Sequence, residues 1–379
     1  MDFDLTEEQS MLKDSLNRLL ADTYGFEQRK KYMAAPEGWS GEMWGRYAEM
    51  GLMALPFAEA DRGLGGSAVE TMIVMEEMGR ALVLEPYFST VVLGGAMLRF
   101  GASDDHRAEY VPQVAEGALK LALAHSERNS RYELSNVETT AKKDGSGWVL
   151  SGAKSVVLDG DGADRIFVSA RTAGGTREEA GIGIFVVDGK AEGLSRRGYV
   201  MQDGKRGAEI RLDGVRAEAI GDPANGLPLL RRVTDAGIAA LCAEAIGVMD
   251  VMRELTVDYL KTRKQFGVPI SAFQVLQHAA VDMFVATEQA RSLAVYATMM
   301  ADSEDEAERG RAMNAAKAEI GRAGKLVGEN AIQLHGGVGM TMEYAVGHYF
   351  KRMSMIDVSL GDHEHHLRAL AQKGGLVEA

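Results

Sequence analysis

Residues 227–267 read LPLLRRVTDAGIAALCAEAIGVMDVMRELTVDYLKTRKQFG. Within them Leu230, Val233, Gly237, Leu241, Ala245, Val248, Met252, Leu255 and Tyr259 step by three or four, the period of one face of an α-helix. The stripe runs for about eight turns, and a helix that long buries its apolar face only against partners of similar length. The partners follow directly. Phe273, Leu276, Ala280, Met283, Thr287, Ala290, Ala294 and Ala297 repeat the spacing, and Ala-rich helices are predicted over about 306–333 and about 354–372. The acidic run 302–308 reads as a solvated turn between two of them. Long helices with apolar stripes and short turns pack as a four-helix bundle, here assigned to residues 226–379.

Toward the N-terminus the period changes. Leu119, Leu121 and Leu123 alternate with Lys120, Ala122 and Ala124, the two-residue repeat of a strand. Further short strands are predicted at Trp148-Val149-Leu150, at 154–158 beyond a break at Gly152, at Ile166-Phe167-Val168, at 182–187 and at 208–212. Turn clusters such as Asp144-Gly145-Ser146-Gly147 and Gly160-Asp161-Gly162 separate them, leaving no room for a helix of normal length. Residues 119–225 therefore read as an antiparallel sheet or barrel, not as βαβ units. Residues 1–118 read as helical. Thr6 with Gln9 forms a capping box ahead of Met11, Leu12, Leu16, Leu19 and Leu20, and a second helix covers about 40–50. Ser67 with Glu70 opens a third that runs to about Leu84 and stops before Pro86. The fold class is α+β, mostly α: an N-terminal helical domain, a middle antiparallel β-barrel or sheet domain and a C-terminal four-helix bundle.

Composition narrows the function. A chain of 379 residues suits two or three domains. Its 42 basic against 55 acidic residues give a net charge of −13, which argues against a general nucleic-acid binder and leaves room only for a local phosphate pocket. The one cysteine, Cys242, excludes an internal disulfide framework and points to a reducing compartment. No apolar run reaches membrane-spanning length and the opening MDFDLTEEQS is acidic, so a cytoplasmic protein without a membrane partner is expected.

The common nucleotide signatures are missing: there is no G-x-x-x-x-G-K-[ST], and Gly181-Ile182-Gly183 opens a strand, as a turn does, where a phosphate cradle would close one. Three other features suit a cofactor. Arg263-Lys264-Gln265-Phe266-Gly267 ends one long helix, Gln274 and Gln277 begin the next, and Gln333-Leu334-His335-Gly336-Gly337-Val338-Gly339 ends a third in a loop whose backbone amides are expected to be bare. A guanidinium and exposed amides are what a pyrophosphate needs. Each also has a plain structural reading, since basic residues complement a helix C-terminus and Gly stops a helix.

Taken together, these motifs resemble the acyl-CoA dehydrogenase family across essentially the whole chain, nearest to the small subunits of pimeloyl-CoA dehydrogenases. The family's early helical motif is matched by Leu55-Pro56, Gly63-Leu64-Gly65-Gly66 and Glu76-Glu77-Met78-Gly79-Arg80, and its Thr-Glu step by Ser126-Glu127. Its Arg-x-x-Phe-Gly is Arg263 to Gly267, with Gln274 and Gln277 at the family's spacing. Its Gln-x-x-Gly-Gly-x-Gly is Gln333 to Gly339, followed by Glu343-Tyr344. The resemblance implies FAD as cofactor, α,β-desaturation of an acyl-CoA thioester in fatty-acid β-oxidation, and electron-transfer flavoprotein as acceptor. It implies contacts to FAD from Arg263, Phe266, Gln274, Gln333, Gly336 and Gly337, and a hydroxyl near the flavin at Ser126.

The match breaks at the chemistry. The family's Glu, which removes the α-proton while a hydride leaves the β-carbon, lies in a Tyr-Glu-Gly-Thr step. That step falls on Ser359-Leu360-Gly361-Asp362, so the base position holds Leu360. The alternative position on the first bundle helix holds Gly237, beside Ile238. A flavin-stacking Trp and a nearby Thr correspond to Val156 and Leu158, and Arg128-Asn129-Ser130-Arg131-Tyr132 replaces a small Gly-Ser-Asp loop. Asp362 and Glu364 are the nearest substitute carboxylates. The run Asp362-His363-Glu364-His365-His366 has metal-ligand residue types, yet its spacing suits no common site, so no metal is expected. The leading expectation is a small subunit that forms a heterotetramer with a larger acyl-CoA dehydrogenase subunit carrying the base. The alternatives are a self-sufficient homotetramer with a different base and a non-catalytic binding or structural protein on the same fold.

Overall fold

The computed structural model describes residues 5–372 and 374. The ends of the first and last predicted domains, residues 1–4, 373 and 375–379, lie outside the described residues. In chain order come α1 (Glu7–Thr23), α2 (Phe26–Met33), α3 (Gly41–Glu49) and α4 (Ala68–Ala81), then a π-helical turn Phe88–Gly94, α5 (Gly95–Gly101) and α6 (Asp104–Ala115). Seven strands follow: β1 (Leu121–Ala124), β2 (Thr140–Asp144), β3 (Gly147–Leu158), β4 (Arg165–Arg171), β5 (Ile182–Asp188), β6 (Leu194–Val200) and β7 (Arg206–Ile220). The last part holds α7 (Leu227–Thr262), the short strands β8 (Lys264–Gln265) and β9 (Val268–Pro269), α8 (Gln274–Ala301), α9 (Glu306–His335), α10 (Ala345–Val358) and α11 (His363–Gln372). The chain divides into two compact units, one of Met1–Lys31, Ala68–Val83 and Ile238–Ala379, the other of Tyr32–Ser67 and Leu84–Gly237.

In the first unit the Thr6–Gln9 capping box is present, with the Gln9 amide donating to Thr6 Oγ1 at 3.2 Å and the Thr6 amide to Gln9 Oε1 at 3.0 Å. Helix α4 ends at Ala81, short of the expected Leu84, because Leu82 takes a left-handed φ of 53° and the Val83 amide closes back on Met78. Glycine decides how α4 meets α7. A Cβ on Gly79 would lie 2.2 Å from the Glu244 carbonyl, and one on Gly247 2.0 Å from that of Glu76, so the two backbones touch at positions where a side chain would have to part them. In the bundle, α8, α10 and α11 all pack on α9. Several of the buried α9 side chains are small, Ala312, Ala316, Ala323 and Ala331 among them. A bidentate pair joins α10 to α7: Arg352 donates to both Glu244 oxygens at 2.7 and 2.6 Å. The helix expected over about 354–372 is broken. Leu360 (φ 56°) and Gly361 (φ 110°) turn the chain between α10 and α11.

In the second unit, α3 carries the expected second helix, with Ser40 capping it by accepting from the Met43 amide. The strand order β1-β4-β2-β3-β7-β5, with β4 also pairing β5, closes the sheet on itself, and β6 lies along β7. Most pairings are antiparallel as expected, but β1 and β2 both run parallel to β4. The two runs expected on either side of Gly152 are one strand: β3 crosses it without a break and takes up two register shifts against β7. Strands β2 and β6 carry almost no apolar alternation and had no signal. The barrel core is Ala122, Ala124, Leu150, Ile166, Val168, Phe185, Val187, Ile210, Leu212 and Val215 among others.

Candidate functional site

Within the helical unit, Arg263 leaves α7 into the β8–β9 hairpin, whose turn Phe266-Gly267 has φ of 56° and 81°. Two left-handed residues are what a type I′ turn requires, and holding a Cβ-bearing residue there costs on the order of 1–2 kcal/mol. Phe266 is nonetheless 90% exposed, its ring edge-on to Phe273 at 6.0 Å. The hairpin folds back so that the Ile270 amide donates to the Arg263 carbonyl at 2.8 Å. That brings Arg263 near the start of α8, where Phe273 occupies the N-cap and no side chain caps the first turn. Arg263 and Gln274 are exposed, and Arg263 makes no ion pair among the described residues. An uncommitted guanidinium beside an uncapped N-terminus of a 28-residue helix fits an anionic diphosphate. The sequence placed this helix start at Gln274; that its first turn lacks a side-chain cap shows only in the structure.

The Gly-rich loop differs from expectation. Gln333, Gly336 and Gly337 are exposed, and a Cβ on either glycine would meet nothing within 4 Å. The loop's amides are not all bare, however: the Gly336 amide closes the last turn of α9 onto Gln333 and Ile332, and 336–340 tighten into a 3₁₀ turn. Beside it His335 is buried, stacked on Tyr259 at 4.6 Å, with Nε2 lacking a hydrogen-bond partner.

The substitute carboxylates are committed elsewhere. Asp362 accepts from the His365 amide at 2.8 Å in the first turn of α11, and Glu364 is exposed and 3.6 Å from Arg368. Leu360 is fixed through its backbone, its carbonyl accepting from His366 Nε2 at 3.0 Å. Lys317, fully buried, donates to the Asp357 and Gly361 carbonyls at 2.7 and 2.6 Å. Gly237 is buried in α7. No group of three or more His, Cys, Asp or Glu able to hold a metal occurs among the described residues.

In the barrel unit, Ser126 begins the loop after β1, and its carbonyl accepts from the Ser155 amide at 2.8 Å. Val156 lies in a β3 register shift with φ 54°, a strained value for a β-branched residue, and is 51% exposed. Leu158, half-buried, ends the strand. Neither offers an aromatic face or a hydroxyl. The loop is pinned by Glu127, which accepts from the Glu138 and Thr139 amides at 2.8 and 3.0 Å and from Lys154 at 2.7 Å. Lys154 is fully buried and donates also to the His125 carbonyl and Ser169 Oγ. Burial pushes the Lys154 ammonium down to about 8 against the pull of Glu127. For Glu127, burial raises the carboxyl, and Lys154 with the amide donors outweighs it to leave the group lowered. The sequence did not single out this pair, because a lysine in a strand reads as solvated.

Burial, and after it the Lys154 charge, holds His125 down to about 3, with Nδ1 2.9 Å from Ser169 Oγ. Unfolded histidine protonates near pH 6.5, so between about 6.5 and 3 the unfolded chain binds more protons. Stability present above pH 6.5 is therefore lost as the pH falls. Urea midpoints should drop from pH 7 to pH 5, and His125→Asn should flatten that slope. An equal slope in the variant would show that other groups set it.

The comparisons cover these same segments. Acyl-CoA dehydrogenase family models match over residues 6–118 (N-terminal domain), 122–215 (middle domain) and 224–375 (C-terminal domain). Acyl-CoA dehydrogenase FadE12 of Mycobacterium tuberculosis is 30% identical over 357 residues, 90% of this chain and 89% of that protein. A solved steroid ACAD variant, Tcur3481-Tcur3483, superposes with a TM-score of 0.88 at 27% identity over 97% of each chain. The FAD complex of PigA shares the fold, with a TM-score of 0.89 at 22% identity over 99% of this chain and 100% of that one.

Proposed function

Because the chain belongs to the acyl-CoA dehydrogenase family, we propose that it is the small, base-lacking subunit of a two-subunit acyl-CoA dehydrogenase. Its cofactor is FAD, and the family's chemistry is oxidoreduction of acyl-CoA thioesters. When bound, FAD supplies the hydride acceptor. The protein groups must do the rest: hold the diphosphate, fix the thioester and take the α-proton. Arg263 and the uncapped start of α8 suit the first task. The observation that carries the small-subunit reading is Leu360, an aliphatic side chain where the family has its proton acceptor. The substitute carboxylates Asp362 and Glu364 make their contacts within the first turns of α11. The joint name Tcur3481-Tcur3483 of the steroid ACAD relative supports the two-subunit reading. In this reading the larger subunit supplies the base, and electron-transfer flavoprotein accepts the electrons.

Arg263 gives the cleanest test of the cofactor site. A charge-assisted hydrogen bond is worth about 1.5–3 kcal/mol, so Arg263→Ala should weaken flavin binding by roughly 10–150-fold. The check is flavin retained by the complex after dilution and gel filtration. Unchanged retention would remove Arg263 from the site.

A further inference from the structure

In the barrel unit the peptide between His125 and Ser126 is gripped from one side. The His125 carbonyl accepts from the Lys154 ammonium at 3.1 Å, and the next carbonyl, that of Ser126, accepts from the Ser155 amide at 2.8 Å. The peptide is trans, so its carbonyl and the following N–H lie on opposite sides of one plane. Lys154 therefore sets the direction of the Ser126 N–H, which points away from it. Neither that amide nor the Ser126 hydroxyl has a hydrogen-bond partner among the described residues. Lys154 is fully buried and is itself fixed by Glu127 Oε1 at 2.7 Å and Ser169 Oγ at 3.0 Å. A neutral donor would satisfy one carbonyl at a smaller desolvation cost. What the charge adds is polarisation of the peptide, which makes the N–H at its far end a stronger donor. With its pKa lowered to about 8, the amine stays mostly protonated at neutral pH.

The backbone next to Ser126 is strained. Lys154 pairs with Ile210 and Val157 with Ala208, so β3 carries one extra residue between them. This bulge follows the Ser155 amide that holds Ser126 and leaves Val156 exposed at φ 54°, which costs on the order of 1–2 kcal/mol. Strain of this kind is kept where it shapes a site. We propose that Lys154 is a positioning residue for the cofactor: by holding and polarising the peptide ahead of Ser126, it aims the Ser126 N–H at an acceptor atom of the flavin ring and raises the flavin's reduction potential. The sign follows because a polarised donor favours the electron-rich reduced cofactor. The inference rests on the FAD reading, and Lys154 acts only through the peptide it holds.

The test compares two variants in the flavin-loaded protein with its partner subunit. Glu127→Gln with Lys154→Met removes both charges, while the Gln oxygen still accepts from the loop amides, so no ion is stranded. Ser169→Ala removes another hydrogen bond of Lys154 but leaves its contact to the His125 carbonyl. FAD titration of the apoprotein and dye-referenced redox titration are the readouts. The double variant should bind FAD about tenfold more weakly, and its midpoint potential should move negative. Ser169→Ala should keep the parent's affinity and potential, whatever it loses in stability. Should the double variant not fold, Lys154→Gln, which keeps a neutral side chain beside Glu127, should show the same negative shift. Parent-like affinity and potential without the Lys154 charge, or an equal shift in Ser169→Ala, would overturn the assignment and leave the FAD reading intact. Failure of the parent protein to retain flavin would remove the FAD reading itself, and this inference with it.

Discussion

Purified alone, the chain should oxidise acyl-CoA at no more than about one hundredth to one ten-thousandth of the rate reached with its larger partner, the span a positioned base contributes. The reason is local to the α10–α11 turn. Leu360 carries no proton acceptor, and its backbone is held by His366 while Lys317 ties the flanking carbonyls of Asp357 and Gly361. That clamp fixes the backbone of the turn. Leu360→Glu puts a carboxylate at the family's position and should restore only a trace of turnover. The positions that the family resemblance sets beside the flavin, Val156 and Leu158, also depart, and a base misplaced by about 1 Å costs roughly 100-fold. Dye-coupled assays of the chain alone, the chain with its partner, and the variant give the comparison. Full turnover by the unmodified chain alone would end the small-subunit reading and make Asp362→Asn and Glu364→Gln the next variants.

Glu127→Ala should be the most damaging single substitution in the barrel unit, lowering stability by about 3–5 kcal/mol, the usual cost of leaving one member of a buried ion pair without its partner. It strands the ammonium of Lys154, which is 0% exposed, and releases the amides of Glu138 and Thr139. The pinned loop carries Ser126 at one end, so flavin retention should fall with stability. Replacing both members, Glu127→Leu with Lys154→Met, should recover much of the loss, because two apolar side chains need no mutual charge. Urea unfolding measures both effects. A loss below about 1 kcal/mol for Glu127→Ala would mean that water reaches Lys154 and the pair is not buried in solution.

The helices were legible because their signal is local. The Leu230-to-Tyr259 stripe and the Thr6–Gln9 capping box each lie within a few turns of one element, and the three-layer domain order follows from where the period switches. The expectation that Leu360 stands at the family's base position rests on a count along the chain from Gln333. What sequence reading missed depends on residues distant in the chain. Strand β2, TAKKD, buries only Ala141, and β6, LSRRGYV, shows no buried residue; both are strands because β3 and β7 offer them hydrogen-bond partners. Gly152 looked like a break, yet β3 passes through it because glycine tolerates a φ of 155° and carries no Cβ, which would lie 2.5 Å from Thr139 Oγ1.

By itself, then, the sequence determined the long helices α7, α8 and α9 and that a β segment separates two helical parts, while the break between α10 and α11 escaped it. Tertiary structure alone decided that Lys154 is an interior cation, that the first turn of α8 is uncapped next to Arg263, and that four arginines and three glutamates line one groove. Periodicity reports which face of an element is apolar. Pairing, capping and the meeting of charges are set by chain closure between residues such as Glu127 and Lys154, or Arg128 and Arg211, and no local pattern records that geometry.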